Sequence, residues 1–419
     1  MGLSVVIPVF NKWDLTWACL ESLAKTSVGH DLEVVVVDNA STDETPQACP
    51  RVGEKLFGNR FVFARQETNR NFAPACNIGA RLATKNLLFF LNNDTILTEN
   101  WLPPLLGRLS APPFPDVVGP LLLYPEFAGR KDRVQHLGLA FEPQFYPAHL
   151  YEAFPADHRV CARPRRFQAM TGAALLMSRE RFLEAGLFDE DFINGGEDVE
   201  FGLRLTAQGK VLVSEPRSRI YHLASQTPGI HAHAEHNARV LKEKALNRIV
   251  PDLHLLAKED GYELALTPGL GVYLDLPERR KALLVKQADS LQTPEELEEL
   301  LLQEPLCHYA YEKLARLQAA AGQPDRAAFT LMLALKLRKN DPDIAGKLAA
   351  AAREAAAAPL LRYGRQVIDW YRKKDFAEIH EAAEYMARFT FELGLPSLHA
   401  LYTRWLAEKE CMRAWFGCA

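Results

Sequence analysis

The residues best suited to chemistry in this chain are two adjacent carboxylates, Glu197-Asp198, which follow Gly195-Gly196 and open a stretch of helical periodicity over 197–207. A carboxylate held at such a point can take a proton from a substrate hydroxyl, an effect worth about 10²–10⁴-fold in rate. The glycines let backbone come close to a ligand, and a helix N-terminus stabilises negative charge. The same residues also suit a plain helix start capped by Asn194. Two further carboxylates close apolar runs: Asp38 after Glu33–Val37 and Asp94 after Asn86–Leu91. Asp38-Asn39 and Asn92-Asn93-Asp94 also read as strand-ending turns, because Asp and Asn favour them. His222 lies beyond the strand-like Val211–Val213, and His231, His233 and His236 form a denser group. The mixed spacing of that group fits a covering loop better than a metal cage.

These side chains need elements to hold them. Leu3–Ile7, Glu33–Val37, Phe61–Arg65 and Asn86–Leu91 read as strands, and Lys12–Lys25 and Ala73–Ala83 as helices between them. The alternation predicts an α/β fold with a mostly parallel sheet and helices on both faces. In such sheets ligands bind beyond the strand C-termini, where Asp38 and Asp94 fall. From about Pro112 to Arg166 proline, aromatic and charged residues mix, which suggests irregular structure over the crevice. Order returns at Gln168–Met177, with a helix over Arg179–Ala185 and another over Glu197–Ala207. After about residue 250 strand signals fade, and Leu297–Leu302, Tyr309–Ala321, Asp325–Leu337 and Ile344–Ala358 read as successive helices. This gives an α/β domain over 1–255, a linker over 256–294 and an all-α domain over 295–419.

Ile7-Pro8-Val9-Phe10-Asn11 and Val37-Asp38-Asn39-Ala40-Ser41-Thr42-Asp43 together resemble the nucleotide-binding half of GT-A fold glycosyltransferases, in the large inverting family numbered two. Asn69–Gly79, Phe90–Asp94, Thr171–Ala174, Gly195–Glu200 and His222–Thr227 agree, in the family's order, so the resemblance covers about residues 3–250. It is nearest to bacterial polysaccharide and O-antigen members. It implies a nucleotide-sugar donor held by Pro8, Val9 and Phe10, by Asp38 at base or ribose, and by Asn71, Asn77, Asn93 and Gly172. It implies a divalent cation, Mn²⁺ or Mg²⁺, on Asp94 and His222, neutralising the leaving diphosphate. It implies Asp198 as the base, with Glu197 on acceptor or donor hydroxyls. The sequence departs from the family at Asn92, where the first Asp of an Asp-x-Asp motif would stand, and at Asn71, which replaces a common glycine. Gln135-His136 and Tyr146–Tyr151 are similar to segments of polysaccharide-building members, with His136 read as structural. In the C-terminal part Tyr311, Leu314, Ala315, Gly322, Ala327, Leu331 and Ala334 resemble a tetratricopeptide helix pair; an ordinary bundle fits as well.

Composition limits the alternatives. The 419 residues are 48% hydrophobic and 24% charged, with 49 basic and 53 acidic side chains. That excludes disorder and gives no overall basic excess for nucleic acid. The seven cysteines form no CxxC pair, so neither a disulfide framework nor a cysteine zinc site is expected. No signal-peptide core and no apolar run of about 20 residues occur, which predicts a cytoplasmic chain with at most peripheral contact at the inner face of a membrane. The expected partners are the donor, a glycan, lipid-linked or protein acceptor, and a protein bound through the helical domain. The alternative is a degenerate, non-catalytic scaffold, which Asn92 favours.

Overall fold

β-branched runs build the centre. Leu3–Val9 (β1) and Leu32–Asp38 (β2) are buried at every position. β1 runs parallel to β2 and to Leu87–Leu91 (β4), and β2 runs parallel to Phe61–Arg65 (β3). Helices Trp13–Thr26 (α1), Thr45–Phe57 (α2) and Phe72–Leu82 (α3) connect them. Alternate side chains face opposite ways, as the pleat requires. Val5, Ile7 and Val9 pack with Cys19, Leu20 and Leu23 of α1 and with Cys49 of α2. Val6, Val35 and Val37 pack with Ala73, Cys76 and Ala80 of α3. Gly79 lets α3 lie flat on β1, since a Cβ there would stand 2.3 Å from Val6 Cγ1. Here Asn77-Ile78-Gly79 serves packing. The computed structural model describes residues 2–127, 129–223 and 232–416.

The remaining strands are Thr95–Leu97 (β5), Val117–Tyr124 (β6), Arg133–His136 (β7), Leu139–Phe141 (β8), Pro147–His149 (β9), Arg165–Phe167 (β10), Ala174–Ser178 (β11) and Leu212–His222 (β12). Helices Leu102–Leu109 (α4), Arg179–Glu184 (α5) and Glu197–Ala207 (α6) intervene. The sheet runs β10-β12-β6-β11-β4-β1-β2-β3, with β5 on β12 and β7 on β6. It is parallel from β3 to β4 and mixed beyond, because β11 is antiparallel to both β4 and β6. The expectation of irregular structure over Pro112–Arg166 fails at β6, a buried strand inside the sheet. Gly119-Pro120 in its middle reads as a breaker. The structure accommodates Pro120 where β12 jumps register from Glu215 to Arg219, so a ladder bond is already interrupted there. β12 also extends further than the three-residue strand expected, and His222 is its last residue rather than a loop residue.

The C-terminal elements are helices Ala234–Ala245 (α7) and Leu253–Glu259 (α8), the hairpin Glu263–Leu266 (β13) with Val272–Asp275 (β14), and helices Glu278–Ser290 (α9), Pro294–Gln303 (α10), His308–Ala320 (α11), Pro324–Leu337 (α12), Pro342–Glu354 (α13), Ala358–Lys373 (α14), Phe376–Glu392 (α15), Pro396–Ala407 (α16) and Lys409–Arg413 (α17). The stretch expected as a linker is therefore structured. The helix expected to reach Ala358 stops at Glu354, with Ala356 at a φ of 52° in the turn. Gly322 has a φ of +73° and open space around it, so it shapes a turn instead of a helix contact. Among the described residues no helix is long and apolar enough to cross a membrane.

One apolar cluster joins Val6 and Phe90 of the sheet to Tyr262, Tyr311, Leu331 and Trp405 of the helical part. Polar contacts reinforce it. Glu152 lies 2.6 Å from Lys336 and 3.0 Å from Lys339 of the α12 end, and Arg130 lies 2.6 Å from Glu298 of α10. Burial opposes ionisation of Glu152, but Lys339, Lys336 and His149 outweigh it and hold the carboxyl down to about 2.

Candidate active site

The loop after β1 and the loop after β2 are tied together. Asn11 Oδ1 accepts from the Thr42 and Asp43 amides at 2.7 and 3.3 Å, and Asp43 Oδ2 accepts from the Trp13 amide at 3.0 Å, capping α1. Asp38 is fully buried at the end of β2. Its Oδ1 accepts from the Ser41 amide at 2.9 Å, its Oδ2 has no hydrogen-bond partner, and Arg65 Nε stands 3.8 Å away. Asn39 Nδ2 donates to the Asn71 carbonyl at 3.0 Å, while its Oδ1 is also unpartnered. Two orphaned acceptors at one strand end form a place where donor groups of a ligand would be satisfied.

A cavity of about 340 Å³ opens at the strand ends, lined among others by Pro8, Val9, Phe10, Asn93, Asp94, Gly172, Glu197, Asp198 and His222. The ring of Phe10 is 40% exposed there. The fold thus brings most of the sequence-selected residues to one place. Three stay off the lining, the first of them Asp38, which is fully buried. Asn77, expected at the nucleotide, donates to the Phe188 carbonyl at 2.9 Å and to Glu190 Oε1 at 3.0 Å, fastening α3 to the loop before α6. Asn71, also expected at the nucleotide, takes a φ of 70° at the start of α3 and its Oδ1 accepts from Asn194 Nδ2 at 3.3 Å. That left-handed φ explains why a glycine would suit the position. The lining residues that escaped selection include Lys12, Asn69 and Phe72. Lys12 is an exposed cation beside α1 that makes no ion pair with the described residues. Its position directly after Asn11 was the available signal.

Gly195 and Gly196 have φ values of +154° and +99°, and a Cβ on Gly196 would meet the Phe192 ring at 2.8 Å. The turn therefore needs glycine for its own geometry. It delivers Glu197 and Asp198 to the first turn of α6. Glu197 is buried, and its Oε2 accepts from the Gly195 amide at 2.8 Å. Asp198 accepts from the Gly172 amide at 2.8 Å and the Val199 amide at 2.8 Å, so Gly172 holds the carboxylate as well as lining the cavity. Burial first, and for Glu197 the neighbouring Asp198 charge, raise both carboxyls above the usual range. Helix α7 braces the loop below: Asn237 Oδ1 accepts from the Ile193 amide at 2.9 Å, Lys244 lies 2.5 Å from both Asp189 and Asp191, and His236 Nε2 donates to the Asp191 carbonyl at 2.8 Å. His236 is thus a structural histidine. Residues 224–231, including Ser225, Gln226, Thr227 and His231, lie outside the described residues.

His222 Nε2 stands 3.1 Å from Asp94 Oδ1 and 3.4 Å from Asn92 Nδ2. Asp94 Oδ1 and Asn92 Oδ1 are buried without hydrogen-bond partners. A carboxylate oxygen, an imidazole nitrogen and an amide oxygen in this arrangement fit a hard to borderline divalent cation that takes its remaining ligands from phosphate and water. Among the described residues no group of three or more His, Cys, Asp and Glu is placed to hold a metal by itself.

Residues 4–180 match the family described as Glycosyl transferase family 2. The O-antigen biosynthesis protein RfbC of Myxococcus xanthus is 31% identical over 229 residues, covering 52% of this chain and 17% of that protein. Validoxylamine A glucosyltransferase of Streptomyces hygroscopicus subsp. limoneus is 32% identical over 222 residues, covering 49% of this chain and 48% of that protein. The chain thus matches about half or less of the length of these curated relatives. A structure of GalNAc-T7 with UDP, GalNAc and Mn²⁺ superposes with a TM-score of 0.48 at 22% identity, covering 58% of this chain and 48% of that one.

Proposed function

We propose that this chain is a transferase that moves a sugar from a nucleoside-diphosphate donor to a hydroxyl of a glycan, lipid-linked glycan or protein acceptor, with inversion at the anomeric carbon. One observation carries the reading: a single cavity gathers Asp198, Asp94, His222 and the Phe10–Lys12 turn. The family match supports it, and the likeness to an O-antigen biosynthesis protein supports a glycan or lipid-linked acceptor.

Asp198 is the base. As the acceptor oxygen bonds to the anomeric carbon, its proton passes to the Asp198 carboxylate, and the bond from that carbon to the diphosphate oxygen breaks on the opposite face. The Gly172 and Val199 amides fix the carboxylate for this step. Glu197 contacts sugar hydroxyls, Asp38 and Asn39 accept from base or ribose, and Phe10 offers its ring to the base. Lys12 favours the diphosphate by charge. Asp94 and His222, with Asn92 beside them, hold Mn²⁺ or Mg²⁺, which when bound neutralises charge on the leaving group. Asn93 positions this turn through its 2.9 Å bond to Thr16 Oγ1.

Titration calorimetry with UDP, GDP, dTDP and CDP, with and without Mn²⁺, tests the reading. A donor-using transferase binds one of them, and Mn²⁺ tightens that binding. A degenerate scaffold, the reading favoured by Asn92 in place of a carboxylate, binds none.

A further inference from the structure

The Gln135-His136 pair stands out in the sequence and has no place in the steps above. In the structure it lies on β7, beside β6, at a break in register. Leu123 pairs with Val134 and Leu122 pairs with His136, so Gln135 is the extra residue of a β-bulge. A bulge re-aims the side chain it carries. Here it aims Gln135, which is only 6% exposed, across to the end of β12. Gln135 Nε2 donates to the His222 carbonyl at 2.7 Å, and His222 Nδ1 lies 2.6 Å from Gln135 Oε1.

These two contacts fix each other. The His222 carbonyl only accepts, so the amide nitrogen of Gln135 must face it and the amide oxygen must face the ring. That oxygen also only accepts, so Nδ1 of His222 carries the hydrogen. In the neutral ring Nε2 is then a lone pair. It is the atom that faces Asp94 Oδ1 at 3.1 Å and receives the Asn92 amide at 3.4 Å. Two acceptors turned toward each other at this distance repel unless a cation lies between or beside them. His136, the next residue, accepts at Nε2 from the Thr171 amide at 3.2 Å, so the bulge braces a second wall of the cavity.

We propose that Gln135 is the positioning residue of the cation site: it holds the His222 ring in one orientation and one tautomer, with Nε2 offered beside Asp94. The proposal rests on the reading of Asp94 and His222 as cation ligands. Groups in this outer position orient metal-binding histidines by taking the other ring N–H, and their loss typically weakens metal binding about 10–100-fold.

The probe is Mn²⁺ alone, added to the full chain without nucleotide, with free Mn²⁺ read by electron paramagnetic resonance. Gln135→Leu is expected to weaken Mn²⁺ binding about 10–100-fold. Gln135→Glu keeps an acceptor for the Nδ1 hydrogen and is expected to stay within about threefold of wild type. Asp94→Ala and His222→Ala are expected to lose binding outright. If Gln135→Leu binds Mn²⁺ as wild type does while Asp94→Ala loses it, the positioning role is overturned and the cation site stands. If Asp94→Ala and His222→Ala bind as wild type does, the cation site falls and the role of Gln135 with it. A second measurement needs no variant that must fold: ring-carbon NMR shifts of the metal-free wild type report the His222 tautomer. The proposal requires hydrogen on Nδ1, and hydrogen on Nε2 overturns it.

Discussion

Gly172 and Asp198 are joined by a 2.8 Å hydrogen bond from the glycine amide to the carboxylate, linking the segment before β11 to the first turn of α6. The bond fixes the carboxylate proposed as the base through a backbone amide 26 residues away in sequence. A side chain on Gly172 would stand 3.1 Å from the Phe72 ring and 3.4 Å from Asp198 Cβ, so this junction has little room for change.

Activity should fall with acid at milder pH than for an ordinary aspartate. Burial raises Asp198, and burial with the Asp198 charge raises Glu197. A raised value keeps the base protonated to higher pH, so kcat/KM is lost as pH falls through it. The rising limb of the profile is expected well above the usual aspartate value of about 3.9. A rate that stays flat down to pH ~4 contradicts the assignment.

Asn92→Asp adds a carboxylate where an unpartnered amide oxygen now lies buried near Asp94 and His222. The expected outcome is Mn²⁺ binding tightened about tenfold, since affinity follows ligand charge. The metal-free variant should be less stable than wild type, because two like charges then share the site. Unchanged affinity would place Asn92 outside the cation's reach.

Docking of the helices on the 130–160 region should weaken in acid. Glu152 is held at about 2 against an ordinary 4.5. A depressed carboxyl contributes its stability above the ordinary value and loses it as pH falls through the depressed one. The difference amounts to ~3 kcal/mol as an upper bound. Glu152→Gln should therefore lower the urea midpoint at pH 7, and its deficit should shrink from pH ~4.5 and vanish near pH ~2. A deficit independent of pH would mean that the contacts act through packing rather than charge.

Much of the catalytic half is legible because its signals are local. β1, β2 and β4 are largely apolar runs, β2 ending in Asp38 and β4 followed by Asn92, and α6 begins at the residues where glycine gives way to acid. β6 is hidden because Gly119-Pro120 imitates a break, and only the register jump in β12 shows why a proline fits. Asn77 misleads for a related reason: the family resemblance implies a nucleotide contact, but the Phe188 carbonyl, over a hundred residues away, takes its amide. Gln135 is legible only as an oddity, because its partner His222 is 87 positions distant and a bulge is needed to join them. The composition shift after residue 250 suggests independent parts, yet the cluster from Val6 to Trp405 is continuous. Composition reports helix content and says nothing of which faces meet.

A chain ending at Asp260 tests that continuity. It removes Tyr262, Tyr311, Leu331 and Trp405 from the cluster that also holds Phe90 and Leu137. The exposed apolar face should bind anilinonaphthalene sulfonate and drive aggregation. A soluble fragment with the helix content and cooperative melting of the intact catalytic half would show that the two parts fold independently.

The most direct measurement is release of nucleoside diphosphate from a panel of nucleotide sugars, with water as acceptor, by wild type and Asp198→Asn, each with Mn²⁺ and with chelator. Wild type is expected to hydrolyse at least one donor with stimulation by Mn²⁺. Asp198→Asn keeps the shape but cannot take the proton, so its rate should drop at least about 10²-fold while its affinity for the nucleoside diphosphate stays within about threefold. Near-wild-type turnover by Asp198→Asn, or full turnover in chelator, would contradict the account.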